Sequence, residues 1–229
     1  MATWNELFEK DEFIATLPQP EVYKFVRMLE KRFSERPLKI WDVCCGAGRH
    51  TALIAELGHD IYASDNAPNA LTLTQNLLKK KGLTTIMKLS DMTVCPWDDN
   101  LKFHGVLSWD AIHHNTIANI QKAVDIIYDK LIPEGLFMGC IKAFSALNLP
   151  NGGKIPGVEI EPNTIVFTSG PEASVPHHFF DEANIRNLFK KWKIELLVEQ
   201  QYTYVETTDK YWENNPFHYS TWGVVAKKT

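Results

Sequence analysis

The chain has 229 residues, of which 45% are hydrophobic and 23% charged, and its formal net charge is −4 at pH 7. A chain of this length can bury a sizeable core, so we expect one domain over residues 1–229 rather than two. Its acidic balance argues against a nucleic-acid partner, because phosphate backbones are bound by basic surfaces.

No apolar run in the sequence approaches the roughly 20 residues needed to span a bilayer, and the start of the chain lacks the apolar core of a secretion signal. We therefore expect no membrane association. The cysteines, Cys44, Cys45, Cys95 and Cys140, match neither the C-x-x-C spacing of metal sites nor a disulfide framework. Reduced thiols in a cytoplasmic protein are the simplest interpretation.

Hydrophobic periodicity and turn residues predict helices that alternate with short apolar strands. The predicted helices are Pro20–Phe33, Arg49–Leu57, Pro68–Lys80, Thr116–Leu131 and Asp181–Trp192. The predicted strands are Lys39–Val43, Asp60–Asp65, Thr84–Asp91, Phe103–Trp109, Leu136–Ala143, Ile194–Tyr204 and Ser220–Lys227. This order predicts an α/β fold with a doubly wound, mostly parallel seven-stranded sheet and an antiparallel last strand.

Two segments lie outside this alternation. Residues 1–36 are expected to form an N-terminal helical cover, and residues 145–178 an insertion rich in Gly, Pro, Asn and Ser. An irregular insertion of about 30 residues is more often a functional lid than a linker, so we expect a lid here. Aromatic side chains in both segments indicate either a cover over a small molecule or ordinary core: Trp4, Phe8, Phe13, Phe167, His177 and Phe179.

Glycines and acids gather at the ends of the first three predicted strands. Gly46 and Gly48 follow strand one, where doubly wound sheets bind ligands and where glycine lets a ligand approach the main chain. Asp42, Asp65 and Asp91 lie at or near the ends of strands one, two and three. A carboxylate after strand two suits the hydroxyls of a ribose, and one after strand three suits an exocyclic amine such as adenine N6. Each acid also has a cap or turn interpretation, but together they indicate an adenosine ligand.

Other adenosine ligands are less well matched. The NAD fingerprint G-x-G-x-x-G fails at its third glycine, where this chain has Thr51. No G-x-x-x-x-G-K-[ST] loop for ATP is present, and no Tyr-x-x-x-Lys pair of a short-chain dehydrogenase. A non-catalytic adenosine-nucleotide-binding or scaffold protein stays open as an alternative, and an NAD-dependent oxidoreductase as a less favoured one.

Five segments resemble, in order, the motifs of the class I S-adenosylmethionine-dependent methyltransferases. They are WDVCCGAGRHTALIAELG, DIYASDNAPNAL, LSDMTVCPW, FHGVLSWDAIHHNT and LIPEGLFMGCIK, within Lys39–Ala143. The chain departs from the family at Cys44, which replaces the usual first glycine, and at Glu134, which replaces a glycine before strand five. The C-terminal segments resemble small single-domain members, including those of the tellurite-resistance type.

The resemblance implies a Rossmann-like methyltransferase fold and S-adenosyl-L-methionine as cofactor, with S-adenosyl-L-homocysteine as product. It places Asp42 near the methionyl ammonium, Asp65 on the ribose hydroxyls, and Asp91 with Met92 at the adenine. The cofactor-binding residues that it implies are Asp42, Cys44, Gly46, Gly48, Asp65, Asn66, Asp91, Met92 and Ser108.

Methyl transfer from a sulfonium mainly needs alignment and exclusion of water, and a base helps if the acceptor is protonated. The candidate catalytic residues after strand four are Asp110, His113 and His114. His177 and His178 are further candidates to line the same cavity, and a packed or surface imidazole is the alternative for each histidine. We favour His114, because Asn115-Thr116 predicts a helix start that would hold it in the loop.

The spacing of the histidines predicts no metal site, since neighbouring rings diverge and no H-x-x-x-H motif is present. The segment Ser108–Ala111 also lacks the Asn/Asp-Pro-Pro-Tyr/Phe run of nucleic-acid amino methyltransferases. We therefore expect a small-molecule acceptor with an N, O or S nucleophile, and a monomer or homodimer.

Overall fold

The computed structural model describes residues 3–147, 156–170, 172–203 and 218–229. The α-helices are α1 Trp4–Leu7, α2 Pro20–Arg32, α3 Arg49–Glu56, α4 Pro68–Lys81, α5 Ile117–Lys130 and α6 Glu182–Leu188. The strands are β1 Lys39–Val43, β2 Asp60–Asp65, β3 Ile86–Leu89, β4 Phe103–Trp109, β5 Leu131–Lys142, β6 Gly157–Glu161, β7 Thr164–Phe167, β8 Pro176–His178, β9 Trp192–Thr203 and β10 His218–Lys228. Tyr204, where a strand was expected to end, lies outside the described residues.

Seven strands form one sheet in the order β3-β2-β1-β4-β5-β10-β9. The first five strands pair in parallel, and β10 runs antiparallel to both of its neighbours. The predicted mostly parallel sheet with an antiparallel last strand is therefore confirmed. The strand order reverses between β1 and β4, and ligands of open α/β sheets bind beyond the carboxyl ends of strands at such a point.

Both faces of the sheet are buried, because alternate residues of a strand point to opposite sides. Trp41 of β1 packs in a cluster with α5 and α6, whereas its neighbour Ile40 packs with α2 and α3. Both residues are at most 1% exposed. Helices on two faces thus hold β1 in the centre, and the loop that follows β1 has a fixed position at the sheet edge. None of the helices in the described ranges is both long and apolar enough to cross a bilayer.

The last helix is shorter than its periodicity predicted. It ends at Leu188, and Trp192 begins β9 instead of ending the helix. Phe189 and Trp192 are both buried and pack against Phe137 of β5. Tertiary packing of these two aromatic rings therefore decides the boundary, which local propensity alone does not.

The described part of the insertion has more regular structure than its composition predicted, and its role as a lid stays a prediction. Strands β6, β7 and β8 form a small antiparallel sheet with β7 in the middle. The central strand, β7, is rich in apolar residues, with the sequence TIVF. Residues 148–155 and 171 of the insertion lie outside the described residues.

Candidate functional site

A cavity of about 360 Å³ opens at the carboxyl ends of the central strands. This volume falls within the range of small-molecule pockets, about 300–1,000 Å³. Its lining comes from the N-terminal segment, the ends of β1, β2 and β4, the loop after β3, and one residue of the insertion. The lining residues are Trp4, Phe8, Phe13, Ala15, Asp42, Cys44, Cys45, Gly46, Ala47, Arg49, His50, Asp65, Asn66, Asp91, Met92, Trp109, Asp110, Ala111, His114, Asn115 and Glu172.

The turn between β1 and α3 is built from left-handed backbone. Cys44, Gly46 and Gly48 have φ angles of 57°, 56° and 82°. A side chain at Gly48 would lie 2.6 Å from atoms of Thr74, so glycine there lets the start of α3 pack closely on α4. Cys44 takes the same backbone region with a side chain, which costs about 1–2 kcal/mol relative to glycine. The turn therefore needs a positive φ at position 44, which the family's usual glycine adopts without strain. In this chain Cys44 adopts it with strain.

Asp65 is held at the end of β2 by two main-chain donors. Its carboxylate accepts from the Gly46 amide and from the Ala67 amide, each at 2.9 Å. The residue is 5% exposed and lines the cavity. Burial raises the pKa of this carboxyl above its ordinary value, although the two main-chain hydrogen bonds oppose the shift. The bonds fix the carboxylate in position before any ligand arrives.

Asp42 is the second fixed carboxyl. Thr51 Oγ1 of α3 donates to its Oδ2 at 2.6 Å, and the residue is 2% exposed. Burial raises the pKa of Asp42 to about 7, and the hydrogen bond from Thr51 only partly opposes this effect. A positively charged group bound at this end of the cavity would therefore favour the ionised form of Asp42.

Asp91 lies just after β3, where its Oδ1 accepts from the amide of Thr93 at 2.9 Å and from the Thr93 hydroxyl at 2.6 Å. This turn explains why β3 ends at Leu89 and not at Asp91. Seven of the predicted cofactor residues line the cavity: Asp42, Cys44, Gly46, Asp65, Asn66, Asp91 and Met92. The other two, Gly48 and Ser108, lie behind the lining, and Ser108 is fully buried on β4.

The N-terminal segment closes one side of the cavity. Trp4, Phe8 and Phe13 line it, as the cover interpretation expected, whereas Phe179 is buried in the core. Helix α1 is docked by Asn5, whose side-chain oxygen accepts from the Asn69 amide of α4 at 2.8 Å. The aromatic cover is thus attached to the start of the helix that follows Asp65.

The loop after β4 presents the predicted catalytic residues unequally. Asp110 has a φ of 52° and lines the cavity together with His114. His113 is 0% exposed and does not line it. Burial holds the pKa of both histidines well below the usual range, so both rings are neutral. The preference for His114 over His113 therefore agrees with which ring reaches the cavity.

Two lining residues have roles that the sequence did not reveal, although both lie in segments that carried the resemblance. His50 is 4% exposed, and its Nε2 accepts from the Gln19 amide at 3.3 Å. Burial lowers the pKa of His50 to about 3, which matches an unprotonated acceptor. Trp109 at the end of β4 meets the His50 ring edge-on at 5.8 Å.

One residue of the insertion, Glu172, reaches the far end of the cavity, whereas His177, a candidate for the lining, lies beside Glu172 and outside the lining. Oε2 of Glu172 lies 2.7 Å from Nε2 of His177. The His177 ring meets the His114 ring at 90° with centroids 4.7 Å apart. Burial would raise the pKa of Glu172, but the hydrogen bond with His177 and neighbouring positive charge outweigh it and lower the pKa to about 2. His178 instead bonds to Thr164 at 2.7 Å and is not part of the lining.

The expectation of no metal site considered histidine spacing alone, and the fold adds a group that this spacing does not connect. Ligand atoms of His114, Glu172 and His177 all lie within 4.8 Å of one another. The adjacent His113–His114 pair did not indicate such a group. Glu172 and His177 are remote from His114 in sequence and meet it only through the fold of the insertion.

Residues 40–135 match the family described as "Methyltransferase domain". An uncharacterized methyltransferase of Synechocystis is 28% identical over 134 residues, which cover 52% of this chain and 61% of that relative. TehB from Haemophilus influenzae superposes with a TM-score of 0.67 at 14% identity, covering 99% of this chain and 67% of TehB. The 1,6-didemethyltoxoflavin-N1-methyltransferase of Burkholderia thailandensis, solved with its substrate and S-adenosylhomocysteine, superposes at 0.59 with 17% identity, covering 92% and 79% of the two chains.

Proposed function

We propose that this chain, a member of the class I S-adenosylmethionine-dependent methyltransferase superfamily, transfers a methyl group to an N, O or S atom of a small molecule. The observation that carries the proposal is the cavity itself. Asp42, Asp65 and Asp91 line one part of it, and Asp110 and His114 line another. A cofactor on the three acids would thus share one enclosed space with an acceptor.

The residues of the cavity fit S-adenosylmethionine by the chemistry of their atoms. Asp65 offers its two carboxylate oxygens to the ribose hydroxyls, since each oxygen can accept more than the one bond that the Gly46 or Ala67 amide makes to it. Asp91 would accept from the adenine amine, with Met92 beside the ring. Asp42 would face the methionyl ammonium. The sulfonium of the bound cofactor supplies an activated methyl group.

This chain's own residues then have three tasks. The strand ends hold the cofactor, while Trp4, Phe8 and Phe13 exclude water from the reacting atoms. His114, kept neutral by burial, accepts the acceptor's proton as the new bond forms. The carboxylates of Glu172 and Asp110 favour the protonated form of His114 and so stabilise the imidazolium that results. His113 would position His114 by ring packing at 4.0 Å.

Several features support a small-molecule acceptor. The cavity is small and enclosed by aromatic side chains, and the net charge is −4. The 1,6-didemethyltoxoflavin-N1-methyltransferase, which shares this fold, binds the small molecule 1,6-didemethyltoxoflavin. The partly exposed carboxylate of Glu172 in the lining favours an acceptor that is neutral or cationic. We further propose that residues 1–36 and 145–178 cover the ligands and that residues 1–229 form a single domain. In this proposal the protein is cytoplasmic and is a monomer or a homodimer. It has neither nucleic-acid nor membrane partners.

The proposal is tested by incubating the protein with a metabolite extract and S-adenosylmethionine carrying an isotopically labelled methyl group. We expect a labelled small molecule with the wild type and none with Asp65→Ala. Binding of S-adenosylhomocysteine without labelling of any metabolite would instead identify a non-catalytic binding protein.

A further inference from the structure

We propose that His114, Glu172 and His177 bind a divalent transition-metal cation of the Zn²⁺ class at the acceptor end of the cavity. Two imidazoles and one carboxylate are a ligand set that Zn²⁺ takes in catalytic sites, where a fourth position stays open. In the proposed methyl transfer, His114 accepts a proton and Glu172 favours the protonated form of His114, whereas His177 has no role.

The distances are close to what such a cation needs. The ligand atoms lie within 4.8 Å of one another. Around a tetrahedral ion with bonds near 2.1 Å, ligand atoms are about 3.4 Å apart. The widest pair must therefore close by at most about 1.4 Å, and the Glu172–His177 pair, now 2.7 Å apart, must open by about 0.7 Å.

The His177 ring is already oriented for this task. Its Nδ1 lies 2.8 Å from the Val175 carbonyl oxygen, which can only accept, so Nδ1 carries a hydrogen. Nε2 lies 2.7 Å from the Glu172 carboxylate and donates a second hydrogen to it in the free protein, and binding of the cation would displace that proton. Metal-ligating histidines are commonly fixed in this way by a hydrogen bond from the other ring nitrogen to a main-chain carbonyl.

His114 supplies a buried nitrogen that lacks a protein partner. Its Nε2 makes no hydrogen bond within the described part of the chain. Buried polar atoms are nearly always bonded, so an orphaned nitrogen on a ring that lies beside a carboxylate and a second imidazole calls for a ligand. The ring also packs against the rings of Trp4, with centroids 4.7 Å apart, and His113, with centroids 4.0 Å apart.

The site would join two parts of the fold. His114 follows β4 of the main sheet, whereas Glu172 and His177 belong to the insertion. A bound cation would therefore tie the insertion to the sheet over the acceptor end of the cavity. Binding should raise thermal stability and protect the insertion from proteolysis.

A consequence for the acceptor rests on the proposed function. A thiol or hydroxyl compound would bind through its heteroatom at the open position, and the cation would lower the pKa of that group. The bond from the heteroatom to hydrogen breaks and the proton leaves to water. The heteroatom's lone pair then forms the bond to the methyl carbon, and the carbon–sulfur pair stays on the departing sulfur. In this state His114 is a ligand, and the cation replaces it as the means of deprotonation.

The test titrates chelator-treated full-length protein with Co²⁺, followed by visible absorption, and with Zn²⁺, followed by calorimetry. We expect one cation per chain in the wild type and binding at least tenfold weaker in His177→Ala and in the isosteric Glu172→Gln. His178→Ala is the matched control, because His178 bonds to Thr164 and not to the group; its binding should equal the wild type. Circular dichroism checks that each variant is folded.

Absence of saturable binding in the wild type would overturn the proposal, as would equal binding in folded Glu172→Gln and His177→Ala. Calorimetry with S-adenosylhomocysteine on the same samples separates the two proposals. Cofactor binding without cation binding would refute the cation site alone. Cation binding without cofactor binding would support the site and refute the methyltransferase function.

Discussion

The two ends of the cavity differ in how their polar groups are satisfied. At the cofactor end, Asp42, Asp65 and Asp91 each accept hydrogen bonds from nearby protein donors. At the acceptor end, His114 Nε2 and both ring nitrogens of His113 have no hydrogen-bond partner among the residues described. The three carboxylates at the proposed cofactor end therefore have partners in the free protein, whereas the described part of the proposed acceptor end contains ring nitrogens without one. Mutations at the two ends should accordingly separate binding from chemistry.

The largest effect should come from His114→Ala. If His114 deprotonates the acceptor, kcat should fall by about 10²–10⁴ while the affinity for S-adenosylhomocysteine stays unchanged. Steady-state kinetics on the identified acceptor and calorimetry on the same protein measure the two quantities. His178→Ala, outside the cavity lining, should keep both. A normal kcat in His114→Ala would reduce this ring to a packing role.

At the other end, Asp65→Ala should weaken cofactor binding more than Asp91→Ala does. Asp65 would accept two ribose hydroxyls and also fixes the Gly46 and Ala67 amides, whereas Asp91 would accept one amine. Each lost charged hydrogen bond should cost roughly 1.5–3 kcal/mol, measured by calorimetry with S-adenosylhomocysteine. Thermal unfolding of both variants controls for lost stability. If Asp65→Ala titrates like the wild type, the assignment of the ribose to β2 is wrong.

The affinity for S-adenosylhomocysteine should depend on pH through Asp42. Its pKa is about 7 in the free protein, and the methionyl ammonium favours the ionised carboxylate, so affinity should fall by up to about tenfold per pH unit below 7. Asp42→Asn should flatten this profile. The charge of Asp65 raises the pKa of Asp42 and that of Arg49 lowers it. Asp65→Asn is a second control, because it should move the midpoint of the pH profile to lower pH. An unchanged slope in Asp42→Asn would assign the dependence to another group.

The raised pKa of Asp42 should also make the free energy of unfolding of the free protein depend on pH. Because the folded pKa lies above the ordinary 3.8, the protonated form favours folding, and the contribution is fully present below that value. Stability from this group should fall as the pH rises from about 4 to 7. Urea unfolding of the wild type and Asp42→Asn across this range measures it. An increase in the stability of the wild type relative to Asp42→Asn as the pH rises would contradict the shift.

The smallest effect concerns the strained turn. Cys44→Gly should stabilise the free protein by about 0.5–1 kcal/mol, because the relief of left-handed strain exceeds the entropy that glycine costs. Cys45→Gly is the matched control, since Cys45 is buried without a positive φ and should lose stability. Urea unfolding compares the three proteins. A less stable Cys44→Gly would show that thiol packing outweighs the strain.

The sequence was sufficient for the sheet and most of the cofactor end because both depend on local features. Each acid lies within a few residues of a strand whose apolar run identifies it, as Asp65 does at the end of β2. The ends of parallel strands meet at one sheet edge, so their positions in the chain determine their positions in space. The positive φ of Cys44 also explains why the family's usual glycine lies there.

The acceptor end could not be predicted in the same way. Glu172 and His177 approach His114 only because the insertion folds into its own small sheet, and no periodicity connects these residues. The predicted end of helix α6 was wrong for a related reason, because the packing of Trp192 on Phe137 overrode a helical pattern. Contacts between segments remote in the chain decided both outcomes.

Calorimetric titration of the wild-type protein with S-adenosylhomocysteine and with NADH tests the assignment of the cofactor end most directly. We expect micromolar binding of S-adenosylhomocysteine and no measurable binding of NADH, because buried Thr51 takes the place of the third glycine and is bonded to Asp42. Tight binding of NADH, or no binding of S-adenosylhomocysteine, would contradict a methyltransferase site at the ends of β1, β2 and β3.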